Sequence, residues 1–344
     1  MNKTGVLLVN LGTPDSPSVK DVRKYLFEFL NDPRVIDIPA FARFLLVNLI
    51  IVPFRAPKSA KIYKELWTNN GLSGGKEGSP ILYYGESVKE KLQIALGDDF
   101  DVKLAMRYQN PSMDDVLAKM YEKDLEKIII VPLFPQYASA TTGSIIEKAM
   151  KIIGKWWIIP EIKFINQFYE NENYINTAIE QVKKYNLDEY DHILFSYHGL
   201  PIRQVDKVYK DGTLCEEHSC ETEINETNQY CYKATCYATT RLISEKLKLK
   251  SENYTVCFQS RLDKKWLEPF ADKVLIEQAK KGAKKLLVFS PAFVADCLET
   301  IVEIGTEYQQ LFENHGGEKV QLVESLNDHP MWIDALKEII LSNS

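Results

Sequence analysis

Two stretches decide the fold: residues 115–131, DVLAKMYEKDLEKIIIV, and residues 273–289, KVLIEQAKKGAKKLLVF. They align without a gap, at an offset of 158. Each reads as an amphipathic helix that passes through a short polar turn into an apolar run. Each also follows a strand-like run that ends at an arginine, Arg107 or Arg261. The same pattern extends outward through GVLLVNLG (5–12), VKLAMRY (102–108), KIIIVPLFPQ (127–136), HILFSYHG (192–199), YTVCFQS (254–260) and KLLVFSPAF (285–293). Strands that are apolar throughout and separated by helices belong to parallel sheet covered on both faces, so the class is α/β. With 344 residues, the echo favours two similar halves, and residue 158 is the expected boundary. Ligands of open α/β sheets bind beyond the carboxyl ends of strands, which is where functional side chains are expected.

Composition narrows the function. A net charge of −6 with no arginine-rich run excludes a nucleic-acid surface. The first apolar run is short and flows into glycine, as a strand does and a signal peptide does not. A cytoplasmic, reducing setting is therefore expected for the six cysteines, in which structural disulfides are rare. Phe44–Phe54, FLLVNLIIVPF, is interrupted by Asn48 and Pro53 and reads as too short to span a bilayer. Flanked by Arg43, Arg55 and Lys58, it suits either a packed helix or an amphipathic segment on a membrane surface. GLSGGKEGSP (71–80) lacks the spacing and the preceding strand of a phosphate loop, so a turn is expected there.

At the end of HILFSYHG, His198 stands where a parallel strand should release the chain toward a ligand. His192, at the start of the same run, is the ordinary structural histidine. After KLLVFS, read as an α-helix, Glu299, Glu303 and Glu307 fall at i, i+4 and i+8 on one face. Like charges so spaced cost about 0.2–0.5 kcal/mol per pair, which a solvated acidic face can tolerate. A carboxylate ladder starting at a strand end also suits binding of a hard cation or relay of protons. Imidazole would add a nitrogen ligand or a base, and His plus Glu suits a borderline divalent metal such as iron. Asp296 reads as a helix cap.

The motifs GVLLVNLGTPDS, LAMRYQNPS, VPLFPQYASATTGS, FSYHGLP, CFQSR and FSPAFVADCLETIVEI, in that order from Gly5 onward, resemble the ferrochelatase family. The resemblance implies two Rossmann-like, chelatase-type domains related by a pseudo-twofold: residues 1–158, residues 159–322, and a C-terminal helix, 323–344, packing back on them. It implies insertion of ferrous iron into protoporphyrin IX, giving protohaem at the end of haem biosynthesis. His198 and Glu299 match the family's essential pair, with Glu303 and Glu307 behind them on the path of metal or protons. Leu11, Trp266 and Phe293 match walls of the porphyrin site, and Arg55, Tyr63, Ser79, Arg107 and Tyr108 its polar contacts. Arg107 also reads as a salt-bridge residue and Trp266 as a core aromatic. The Phe44–Phe54 segment would form an apolar lip that touches the membrane peripherally, on its cytoplasmic face. Cys297 stands where some relatives carry histidine, which removes a candidate ligand beside Glu299. A cobalt chelatase of related fold and a tetrapyrrole carrier without catalysis are the competing readings.

Cys215, Cys220, Cys231 and Cys236 follow the histidine with spacing C-x4-C-x10-C-x4-C. Such clustering in a reducing compartment points to metal. Four thiolates so spaced suit a [2Fe–2S] cluster, which some ferrochelatases carry, or zinc as the alternative. Free thiols or disulfides are a third reading, and His218 could replace one thiolate. Cys257, inside a strand, is expected in the core.

Overall fold

The computed structural model describes residues 3–68 and 78–344, so most of the glycine-rich stretch at 71–80 lies outside the described residues. The chain forms two compact units. The first contains a parallel sheet of β1 (Thr4–Gly12), β2 (Phe100–Tyr108), β3 (Lys127–Pro132) and β4 (Glu161–Phe164), in the order β2-β1-β3-β4. The second contains β5 (His192–His198), β6 (Tyr254–Gln259), β7 (Lys285–Phe289) and β8 (Lys319–Leu322), in the order β6-β5-β7-β8. All pairs are parallel, and the two orders are the same. The two α/β units are thus repeats in topology.

The echoed stretches occupy matching places. In the first unit, helix Met113–Tyr121 leads into β3. Ser112 caps it by accepting the Asp115 amide, and Asp114 and Asp115 favour its N-terminal dipole. Leu117 and Met120 bury against Ile128 and Ile130. In the second unit, helix Ala271–Lys280 leads into β7 and buries Val274 and Leu275 with Leu286 and Val288. Each fully buried aliphatic side chain contributes about 1.5–3 kcal/mol.

Two expectations need correction, and a third is made more specific. The main division falls at Gln167/Phe168 rather than at residue 158, because β4 pairs with β3 and belongs to the first sheet, and Pro135–Ala138 clusters with the second unit. From the C-terminal helix Pro330–Leu341, the residues from Ile333 onward cluster with the first unit. The apolar lip is also longer than its interruptions suggested. Ala40–Thr68 is one helical run, long and apolar enough to cross a membrane by length and composition. Its Leu46–Ile51 turn is π-helical, and Pro53 and Pro57 follow it. A wider turn accommodates residues that lack the backbone donor.

Candidate active site at the strand ends

In the second unit, the carboxyl end of β5 carries His198, paired in register with Gln259 at the end of β6. Gly199 then donates to the Gln259 carbonyl at 2.8 Å. A Cβ on Gly199 would lie 2.8 Å from that oxygen and 3.3 Å from Trp266, which explains the glycine after the histidine. Trp266 lies against this turn, held by the flanking bonds Ile202 N to Lys265 O and Leu267 N to Leu200 O, both 2.9 Å. The Phe293 ring meets the imidazole edge-on at 6.4 Å between centroids. His198, Trp266, Phe293 and Glu299 are all partly exposed. His192 is buried, on Thr255 Oγ1 at 2.8 Å.

The acidic helix is a π-helix over Glu299–Tyr308, not the expected α-helix. Such turns are rare and cluster at functional sites. Its three glutamates differ in environment. Glu303 accepts four hydrogen bonds: Ser260 N (2.8 Å), Ser260 Oγ (2.5 Å), Gln259 Nε2 (3.0 Å) and Tyr308 OH (3.2 Å). Both its oxygens are engaged, so it is built as an anchor more than as a vacant ligand. Glu307 is exposed. Glu299 is joined to the histidine strand through Gln259, whose Nε2 also reaches the Glu299 carbonyl at 3.0 Å.

Gln259 is the residue that sequence reasoning passed over. It is 1% exposed and accepts from Ser196 Oγ at 2.7 Å, so one amide ties β5, β6 and the π-helix together. Ser260 adopts a left-handed φ of 61°, which turns both its donors onto Glu303. The available signal was the polar pair that ends the otherwise apolar strand YTVCFQS.

Asp296 does not stand at the helix cap expected for it; that position is Leu298. It is buried and accepts Asn327 Nδ2 (2.7 Å), Ser325 N (3.2 Å) and Thr300 Oγ1 (3.2 Å), and burial raises its carboxyl above the ordinary range. Burial, reinforced by the Glu299 charge, likewise pushes the Cys297 thiol up. Cys257 is in the core, as expected.

The substrate candidates of the first unit gather at the ends of β1 and β2, where Gly12 pairs with Tyr108. Ser79 is buried and donates to Thr13 Oγ1 at 2.9 Å. Leu11 and Tyr63 pack on the cluster of Tyr25 and Tyr108. Arg107 donates to Asp32 (2.5 Å) and Ser144 (2.6 Å), which bears out its salt-bridge reading. Tyr108 is fully buried with its hydroxyl 2.9 Å from Asp32, so it backs Arg107 and presents no surface of its own. Burial raises that phenol well above its ordinary value. Arg55 is exposed on the lip helix.

The structure brings together three of the four clustered cysteines. The Sγ atoms of Cys215, Cys220 and Cys231 stand 3.6–3.8 Å apart, and all three residues are buried. Hydrogen bonding with Cys215 and Cys231 lowers the Cys220 thiol far below its ordinary value, while the Cys215 thiol is pushed up. Cys231 caps helix Tyr232–Lys246, and Cys236 lies five residues on, about 140° around the helix axis. It is fully buried and lies outside the triangle. His218 has turned away, stacked on Tyr209 at 3.9 Å with Nε2 on Thr213 Oγ1 at 2.8 Å. Three buried thiols this close together are a donor set for a metal.

Among solved structures, SirB from Bacillus subtilis with Fe3+ matches at a TM-score of 0.55 and 12% identity, covering 99% of this chain and 95% of that one. The sirohydrochlorin chelatase SirB from Bacillus subtilis subspecies spizizenii in complex with cobalt matches at 0.52 and 11%, covering 97% and 92%. At those identities the likeness concerns fold, and the class it defines is the two-unit, chelatase-type α/β protein. Sequence takes the assignment further. The Ferrochelatase family model matches residues 3–344. The ferrochelatase of Coxiella burnetii (strain CbuK_Q154) is 45% identical over 98% of this chain and 93% of its own length. That of Legionella pneumophila (strain Lens) is 45% identical over 98% of each. The chain belongs to the ferrochelatase family.

Proposed function

We propose that this chain is a metal–porphyrin chelatase that inserts Fe2+ into protoporphyrin IX to give protohaem. The observation that carries the reading is the junction of His198 with the π-helix of Glu299 and Glu303 through Gln259. Insertion requires two pyrrole N–H protons to leave as the metal enters. His198, partly exposed at the strand end, is the first acceptor, and Glu299 takes the next step of proton or metal transfer. Glu303 holds the end of β6 and the helix in place. Phe293 and Trp266 supply apolar wall beside the imidazole. Arg107, preoriented by Asp32, and the exposed Arg55 are the cations for the propionates.

The reading includes a cytoplasmic location and peripheral membrane contact through the lip helix. Phe41, Phe44, Leu49, Ile50 and Phe54 are exposed, while Val47, Val52, Ala56 and Ala60 are buried in the first unit's own core. A helix docked along one face, with Arg55, Lys58 and Lys61 exposed, suits the interface and not a crossing. For the cysteine loop the reading carries only a metal centre on Cys215, Cys220 and Cys231.

The test mixes protein, Fe2+ and porphyrin anaerobically and follows loss of the free-base spectrum. Turnover should exceed the uncatalysed rate and be faster with protoporphyrin than with coproporphyrin. His198→Ala and Glu299→Gln, each folded by circular dichroism, should lose at least about tenfold, or 1.4 kcal/mol of barrier. Either variant retaining more than that would remove its residue from the chemistry.

A further inference from the structure

The connection between helix Ser144–Ile153 and β4 takes no part in the strand-end chemistry, yet it displays a run of large apolar side chains. Trp157 is 95% exposed, Ile158 73% and Ile159 54%, with Met150, in the last turn of the helix, exposed beside them. The display is held in place. Trp156 stacks on Tyr121 at 4.8 Å between centroids and packs on the core of the first unit. Backbone bonds from Gly154 to Met150 (2.9 Å), Lys155 to Ile152 (3.1 Å) and Trp156 to Ile153 (2.9 Å) close the helix end. One tryptophan is thus fixed inward while its neighbour is turned to solvent. Contiguous exposed apolar groups of this kind mark a contact surface.

Charge selects the partner. The whole chain has a net charge of −6, but residues 148–160 contain three lysines and no carboxylate. Lys148 faces Asp114 at 2.6 Å and Lys151 faces Glu147, so those two are compensated. Glu161, just past the tip, is engaged by Lys127 at 3.0 Å. Lys155 and Lys163 are exposed on either side of the tip and have no ion-pair partner among the described residues. An indole and two isoleucines between uncompensated ammonium groups suit the headgroup region of an anionic bilayer, where tryptophan concentrates and lysine is attracted. We propose that the loop Trp157–Ile159 is a membrane contact separate from the lip helix, inserting its apolar tip at the surface of an anionic bilayer.

The lip and the loop lie along one flank of the first unit. Arg34, six residues before the lip helix, bonds Ser139 and Glu147 at the near end of helix Ser144–Ile153. That helix is ten residues, about 15 Å, long. Glu147, Met150 and Lys151, at i, i+3 and i+4, share the face that leads from Arg34 to the loop. A single helix lying in the membrane plane leaves the protein free to roll about its axis. A second contact at the far end of this flank fixes the orientation of the first unit.

The test compares full-length protein and its variants on vesicles of phosphatidylglycerol with phosphatidylethanolamine, and on neutral phosphatidylcholine vesicles. The double variant Trp157→Ser/Ile158→Ser, with the lip helix intact, should float with anionic vesicles at least about tenfold more weakly. Lys155→Gln should cost about fivefold there and little on neutral vesicles. Brominated lipid should quench the native fluorescence more than that of Trp157→Phe, which keeps an apolar ring and removes the reporter. Iron insertion in detergent should be unchanged in all of these, because the loop enters β4 at the end of the sheet opposite the strand ends of the site. Unchanged flotation of the double serine variant would overturn the proposal, as would equal quenching of the native chain and Trp157→Phe. Self-association of the native chain that the serine variant abolishes would overturn it too, since a second copy would then cover the loop. Unchanged flotation of Phe41→Ser/Phe54→Ser would remove only the lip helix, so the two contacts are judged separately.

Discussion

Gln259 shows how much a single neutral side chain can coordinate. Its amide accepts from Ser196 and donates to the Glu299 carbonyl and the Glu303 carboxylate, at a position that is 1% exposed. Gln259→Leu keeps the volume and removes all three bonds, leaving buried groups unpaired at about 1–3 kcal/mol each. We predict a lower melting temperature and a kcat reduced about tenfold or more, with the KM for porphyrin little changed, because the residue positions the helix and touches no substrate. Full kcat in this variant would show that the junction is only structural. His192 allows a prediction about pH. Burial lowers its proton affinity below the ordinary 6.5. As pH falls through 6.5, the unfolded chain takes up a proton that the folded chain refuses, so stability declines until the folded group titrates as well. Above 6.5 the contribution is complete. Denaturant midpoints across that window should therefore fall more for the native chain than for His192→Gln, and equal slopes would rule the histidine out.

At the level of elements, sequence patterns revealed which segments exist better than how they turn. The strand ends and His198 were legible because parallel strands are apolar throughout and stop abruptly. The glutamate ladder was also visible, but the i, i+4 spacing implied an α-helix. Glu303 of this π-helix is held from outside by Ser260 and from five residues on by the Tyr308 hydroxyl, and the Ser260 anchor is a tertiary contact that no local pattern encodes. The lip helix failed for a similar reason. Asn48, read as an interruption, donates to the Phe44 carbonyl at 2.7 Å and so satisfies its polar group within the helix. The exposed apolar face should make this helix the membrane contact. Replacing Phe41 and Phe54, 76% and 73% exposed, by serine should reduce binding to anionic vesicles by more than about tenfold, since a fully buried phenylalanine contributes about 1.5–3 kcal/mol. Unchanged flotation would remove the helix from the interface. Retention of the native chain in membranes after an alkaline carbonate wash would indicate a crossing helix instead.

At the scale of the whole molecule, the repeat was legible because one helix-strand unit recurs with its apolar spacing intact. Its limits were not, because sheet membership is decided by pairing: β4 is assigned by its register with β3, and the last residues by what they bury. The segment Ile333–Ser344 follows the second unit in sequence yet clusters with the first. Ile333, Leu336, Ile339 and Ile340 are each at most 6% exposed. At about 1.5–3 kcal/mol per buried aliphatic side chain, their loss amounts to roughly 6–12 kcal/mol. That is comparable with the whole stability of a typical domain, about 5–15 kcal/mol. A chain truncated after Trp332 should therefore lose the first unit selectively. Amide exchange should show β1, β2 and β3 unprotected while β5, β6 and β7 keep their protection, because those strands draw their core from residues 194–320. Iron insertion should be lost with the first unit, even though His198 and Glu299 remain in the chain. Protection retained in both sheets, or lost in both together, would show that the C-terminal segment does not belong to the first unit's core.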